Sequence, residues 1–145
     1  MAAILRVYGI MLLKGMGQTL LMTLLTLVIA TIIGMIFGLM NVGRNRILNL
    51  IGTVYVDAIR GVPLIVLAYF VFFGIPAGMQ GMGMKGFRLS ALQAGTIALS
   101  LNCGAYMAEI IRAGIESVDR GQMEASRSLG LSYGSSMALV VVPQA

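Results

Sequence analysis

The sequence predicts an all-α protein that crosses a membrane several times. Residues 15–43, 61–84 and 89–108 carry no charged side chain, and about 20 predominantly apolar residues suffice to cross a bilayer as a helix. The whole chain of 145 residues is 59% apolar, with ten basic and five acidic residues and a mean hydropathy of +0.95. A water-soluble domain of this size needs a far more charged surface.

The net charge of +5 comes from basic residues scattered singly between apolar runs. They form no stripe, so the chain has no nucleic-acid footprint. With no histidine and one cysteine, Cys103, neither an internal disulfide nor a Cys/His metal spacing is available. Cys103 lies in an apolar run and reads as a small packing residue.

In chain order, residues 1–14 carry only Arg6 and Lys14 and read as a short interfacial helix. No A-x-A-like site follows a short apolar core, so no removable signal peptide is expected. The first span covers about 17–42, and its Gly34-x3-Gly38 either offers a smooth strip for close helix contact or holds glycines merely tolerated in a membrane helix. Arg44 and Arg46 end it. A second span is expected over about 49–75, bent near Gly61-Val62-Pro63, where proline removes a backbone donor and glycine loosens the turn. Broken membrane helices are tolerated where they face protein or a water-filled cavity.

Residues 76–88 read as a glycine-rich connection. Gly81-x-Gly83-x-x-Gly86 matches a dinucleotide fingerprint by letters only, because it follows a membrane span and no βαβ unit. The third span is expected over about 89–112. Beyond it, residues 117–143 form the one long solvated stretch. There Asp119 and Gln122 have capping-box spacing, and Arg120, Glu124 and Arg127 are helical neighbours. Gly130 sits where a helix stops in a left-handed turn, and Ser132 is placed to cap a following segment. The stretch reads as two short helices joined by a glycine elbow.

Charges inside spans are retained where they pair or line a pathway. Asp57 and Arg60 are three apart, as are Glu109 and Arg112. Two arrangements are open: Arg60 faces Glu109 beside a path, or each charge pairs along its own helix near the interface. Asn102 and Tyr106, one turn apart, either present polar groups to a substrate or bond between helices. No catalytic constellation is evident: Glu116 and Asp119 have no nucleophile or metal ligand to serve and read as a hydrated helix start. No G-x4-G-K-[ST] phosphate loop occurs, so any ATP-driven step falls to another subunit.

Glu124-Ala125-Ser126-x3-Gly130-x9-Val140-x-Val142-Pro143 resembles the EAA loop of the membrane subunits of ABC importers, EAA-x3-G-x9-I-x-L-P. Ser126 stands for the second alanine, and Val140 and Val142 for Ile and Leu. Arg60-Gly61-Val62-Pro63-Leu64-Ile65-Val66, the stretch from Leu99 to Arg112, and Gly121-Gln122-Met123-Glu124-Ala125 are similar to the polar amino acid branch of that family. The resemblance runs from about residue 15 to the last residue.

It implies a coupling loop at Gly121, Gln122, Glu124, Ala125, Gly130 and Pro143, docked on a cytoplasmic ATPase. Read from the residues themselves, the candidates for a translocation path are Arg60, Gly61, Pro63, Asn102, Tyr106 and Glu109. No cofactor is implied for this chain, ATP being bound by the partner. The implied partners are an ABC ATPase dimer, a second permease subunit, an extracytoplasmic solute-binding protein and membrane lipid. Such subunits have about five spans and continue past this proline, so the resemblance also implies a C-terminally truncated sequence. The location implied is a prokaryotic cell membrane. Arg44 and Arg46 share a side with Arg112, Arg120 and Arg127, opposite Arg6, Lys14, Lys85 and Arg88. By the preference of basic residues for the cytoplasm, the N-terminus lies outside and the loop inside. The rival expectation is a membrane scaffold or degenerate permease fragment without transport of its own.

Overall fold

The computed structural model describes residues 2–43 and 45–145, with side chains from Tyr8 onward. The topology expectation resting on Arg44 and on the Arg6 side chain lies outside the described residues.

Helix α1 runs without interruption from Ala2 to Val42. The expected interfacial helix and first span are therefore one element. No proline separates them, and a helix once nucleated gains a bond for each residue added. The hydroxyls of Thr19, Thr23 and Thr31 donate to the carbonyls of Gly15, Thr19 and Leu27, four residues back. Each thus satisfies its polar group without leaving the helix. The apolar portion, Tyr8–Val42, has 35 residues, about 50 Å at 1.5 Å per residue.

Helix α2 covers Arg46–Gly61 and is capped by Asn45, whose side chain accepts from the Ile47 amide at 2.9 Å. It ends where Val62 turns extended (φ −101°, ψ 130°), the conformation a following proline imposes. After Pro63 the chain resumes as α3 (Leu64–Tyr69), a π-helical turn (Phe70–Gly74) and α4 (Ile75–Gly81). The second membrane-length helix is thus Leu64–Gly81, whereas the sequence suggested one bent span over 49–75. Hydropathy alone runs across the break, but the Pro63 ring stops the ladder there. Helix also extends to Gly81, so the glycine-rich connection starts later than residue 76. Its turns use Gly83 (φ +97°) and Gly86 (φ +83°), a region glycine enters without a Cβ clash.

The π-turn has a local cause. Pro76, in the first turn of α4, would drive its ring against the carbonyl four residues back, and a wider turn relieves that crowding. The pattern recurs near the end, where a π-turn at Met137–Val141 precedes Pro143 in a 3₁₀ turn, Val142–Gln144.

Helix α5 spans Ala91–Ser117, past the expected limit of 112. It opens on a full capping box: Ser90 Oγ accepts from the Gln93 amide at 3.2 Å and Gln93 Oε1 accepts from the Ser90 amide at 2.9 Å. Then follow α6 (Arg120–Ser128) and the single turn α7 (Tyr133–Ser136).

The core is a seam between α1 and α5. A Cβ on Gly34 would stand 2.6 Å from Met107 Cβ, and one on Gly38 would stand 3.0 Å from the Ala108 carbonyl oxygen. On the facing side a Cβ on Gly104 would stand 2.6 Å from Ile33 Cγ2, while Ala105 and Ala108 are fully buried. Of the two readings open for Gly34-x3-Gly38 the structure takes the close contact, as small residues do where apolar lipid supplies no drive for association. Tyr55 of α2 stacks on Phe37 (4.0 Å between ring centroids) and donates its hydroxyl to the Leu101 carbonyl at 2.8 Å. Leu67 and Val71 pack on Ala94 and Ala98 of α5. Outward apolar side chains such as Leu24, Ile65, Phe70 and Ile110 remain exposed, consistent with lipid as their solvent.

Candidate functional site

Two groups of candidate residues lie at the Ser117 end of α5. The first is a charged cluster between α2 and α5. The last turns of α2 carry Asp57 and Arg60, α5 carries Glu109, Arg112 and Glu116, and all five line one cavity of about 350 Å³ together with Asn41.

Arg112 holds Glu109 through a two-bond fork, Nη2–Oε1 at 2.6 Å and Nε–Oε2 at 3.1 Å, and donates to Glu116 Oε2 at 2.5 Å. Arg60 Nη1 reaches Glu109 Oε2 from the other helix at 3.9 Å. Bidentate pairs are the strong ones, so Glu109 is anchored by Arg112 and only touched by Arg60. The Arg60 guanidinium also lies 5.2 Å from the Tyr106 ring centroid, within cation–π range. About a third of each of the Arg60, Glu109 and Arg112 side chains is exposed, so solvent screens the pairs.

Of the two arrangements open in the sequence, the structure takes one pair from each. Arg60–Glu109 and Glu109–Arg112 both form. Asp57–Arg60 does not: among the described residues Asp57 has no ion-pair partner, because Arg60 extends toward α5 instead. The Asn102 side chain makes no hydrogen bond to a described residue. An interhelical bond, one of the two readings open for Asn102, comes instead from Tyr55, a residue whose signal was only its place on the amphipathic α2. Gly61 has open space around it, so the break rests on Pro63.

The second group is the loop. Asp119 caps α6 by accepting from the Gly121 amide at 2.6 Å. The reciprocal half of the expected capping box, from Gln122, is not made; the real box lies at Ser90–Gln93. A Cβ on Gly121 would stand 2.7 Å from Asp119 Oδ1, so the bare glycine leaves room for the cap.

At its other end α6 closes in a Schellman motif. Gly130 (φ +90°) donates to the Arg127 carbonyl at 3.0 Å, and Leu131 donates to that of Ser126 at 3.3 Å. Ser132 then caps α7 by accepting from the Ser135 amide at 3.2 Å. The glycine elbow is thus present as expected. Gln122, Glu124, Ala125, Arg127 and Leu129 are exposed, as is Pro143 further on, whereas Ser126 is buried. The Ser126 hydroxyl donates to the Met123 carbonyl at 2.9 Å, which is how a serine fits an inward alanine position. Arg120, Glu124 and Arg127 form no ion pair with a described residue; their side chains extend into solvent.

The two groups share a wall. Glu116 lines the charged cavity and also a cavity of about 680 Å³ enclosed by Val42, Asp119, Met123, Tyr133 and Met137. Among the described residues no cluster of three or more potential metal ligands occurs.

Comparison with known proteins bears on this arrangement. A family described as the binding-protein-dependent transport system inner membrane component matches residues 30–145. The chain is 38% identical, over 93% of its length, to the probable glutamine ABC transporter permease protein GlnM of Bacillus subtilis, covering 59% of that protein. It is 37% identical to the arginine transport system permease protein ArtQ of the same organism, over 92% of this chain and 58% of the relative. Among solved structures, a crystal structure of an amino acid ABC transporter with histidines superposes with a TM-score of 0.73 at 34% identity. That match covers 93% of this chain and 63% of the other. The chain therefore spans a little under two thirds of the length of these relatives.

Proposed function

Because the chain belongs to the binding-protein-dependent transport system inner membrane component family, a family of multi-pass membrane transport components and not of enzymes, we propose that it is the membrane subunit of an ATP-driven importer of polar amino acids. Its neighbours in sequence are permeases named for glutamine and arginine, and the charged cavity suits a small zwitterion. In this reading the path runs beside Arg60, Gly61, Pro63, Asn102, Tyr106 and Glu109. ATP is bound and hydrolysed by a partner ATPase dimer, a second permease subunit completes the path, and an external solute-binding protein delivers the substrate. The N-terminus lies outside a prokaryotic cell membrane and the α6–α7 loop lies in the cytoplasm. A scaffold without transport is not favoured, since the relatives along 93% of the chain are transport permeases.

The observation that carries the reading is the shared wall at Glu116. A rigid, capped, solvent-facing elbow adjoins the same carboxylate that ends the ion-pair chain between α2 and α5. Movement of the elbow by a docked partner is thereby passed to α5 as rigid-body displacement. The test is uptake into proteoliposomes by a complex of this chain with its ATPase and solute-binding protein. ATP-dependent accumulation of a polar amino acid is expected, and accumulation indifferent to ATP would overturn the reading.

A further inference from the structure

Arg60 stands between two carboxylates and is paired with one. Glu109 lies across the groove at 3.9 Å, the longest of the three ion pairs in the cluster. Asp57 lies three residues back on the same helix, lines the same cavity, and has no ion-pair partner among the described residues. We propose that Asp57 is the second partner of Arg60, so that exchange of Arg60 from Glu109 to Asp57 lets α2 part from α5 without leaving any charge unpaired.

Each participant is already provided for. On separation Glu109 keeps the Arg112 fork at 2.6 and 3.1 Å, and Arg112 keeps Glu116. Arg60 needs only a side-chain rotation to reach Asp57, since residues three apart on a helix are neighbours. A charge left without a partner would otherwise oppose the movement, by the modest amount that solvent screening of part-exposed groups allows. The backbone also permits it: two residues after Arg60, Val62 is extended and Pro63 has no N–H, so the end of α2 is not locked to α3, and the tie that parting must break is the Tyr55–Leu101 hydrogen bond. The Tyr106 ring, which travels with α5, loses its cation in the parted state. Asp57 is thus a positioning residue, and its effect is on the balance between two helix arrangements.

The meaning of this exchange for transport rests on the importer reading, but the exchange itself does not. The test uses the full chain in lipid nanodiscs with Cys103→Ala and spin labels at Leu50→Cys on α2 and Ile110→Cys on α5, both outward-facing. Pulsed-EPR distances are expected in two populations. Asp57→Asn should deplete the longer-distance population about twofold, as loss of a part-exposed, solvent-screened pairing partner implies, and Asp57→Glu should restore it. Glu109→Gln should enrich it. Identical distributions in wild type, Asp57→Asn and Asp57→Glu would overturn the exchange, even in a complex that transports. Loss of ATP-driven uptake with the populations responding as expected would instead overturn the importer reading alone.

Discussion

Glu109 is held by Arg112 of its own helix at 2.6 Å and touched by Arg60 of α2 at 3.9 Å, so one carboxylate serves two guanidinium groups unequally. Removing the carboxylate therefore takes a partner from two cations, of which Arg112 keeps Glu116, and removing Arg60 breaks none of the strong bonds. Glu109→Ala should impair uptake more than Arg60→Ala. The double variant should be less damaged than the sum, with a coupling of roughly 0.5 kcal/mol once solvent screening of these part-exposed groups is allowed for. Strictly additive losses would remove the interhelical pair from the account.

The seam between α1 and α5 gives a stability prediction. At Gly34 and Gly38 an added side chain meets Met107 and the backbone of Ala108. Gly34→Leu and Gly38→Leu should each lower thermal stability in detergent by about 1–3 kcal/mol, the usual range for overpacking. Gly61, which has nothing within 4 Å of an added Cβ, should accept alanine with no loss. Equal tolerance at all three positions would contradict the seam.

The elbow separates folding from coupling. Gly130→Val forces a β-branched residue to φ +90°, at a cost of about 1–2 kcal/mol. Glu124→Lys changes an exposed side chain without an ion-pair partner among the described residues. Both variants should insert in the membrane normally, yet weaken co-purification with the ATPase and abolish substrate-stimulated hydrolysis. A reconstituted pull-down and ATPase assay reads both, and normal stimulation in both variants would make the loop a solvated connector.

Orientation is checked by thiol labelling in a Cys103→Ala background. Leu129, 85% exposed, and Met82, 82% exposed, flank opposite ends of α5 and avoid the strained glycines. Leu129→Cys should react only with reagents that reach the cytoplasm, and Met82→Cys with those applied outside. The reverse pattern would invert the topology and end the coupling role.

The sequence made legible those features that depend on residue type at one position. Long charge-free runs announced the membrane helices. Gly130 announced its turn because few other residues enter that backbone region, and Gly34-x3-Gly38 announced a close contact without naming its partner. Features that depend on a choice among several reachable partners stayed hidden. Arg60 had Asp57 three residues away and Glu109 on another helix, and only the packing of α2 against α5 decides between them. Likewise Asp119 had two amides in reach and took that of Gly121. The break at Val62–Pro63 was visible as a proline, but hydropathy, which has no direction, joined α2 to the span beyond it. The Ser90–Gln93 box has the right spacing, yet it fell inside what looked like continuous span.

The glycine seam also has a mechanical meaning. With Met107 seated in the notch at Gly34 and Ala108 against Gly38, backbones meet with almost no flexible side chain between them, and a contact of that kind has little give. Helices α1 and α5 then behave as one strut some 40 residues long on its longer side. Compliance is concentrated at Val62, where the chain between α2 and α3 is unlatched, and the Tyr55–Leu101 bond is the latch that holds α2 to this frame.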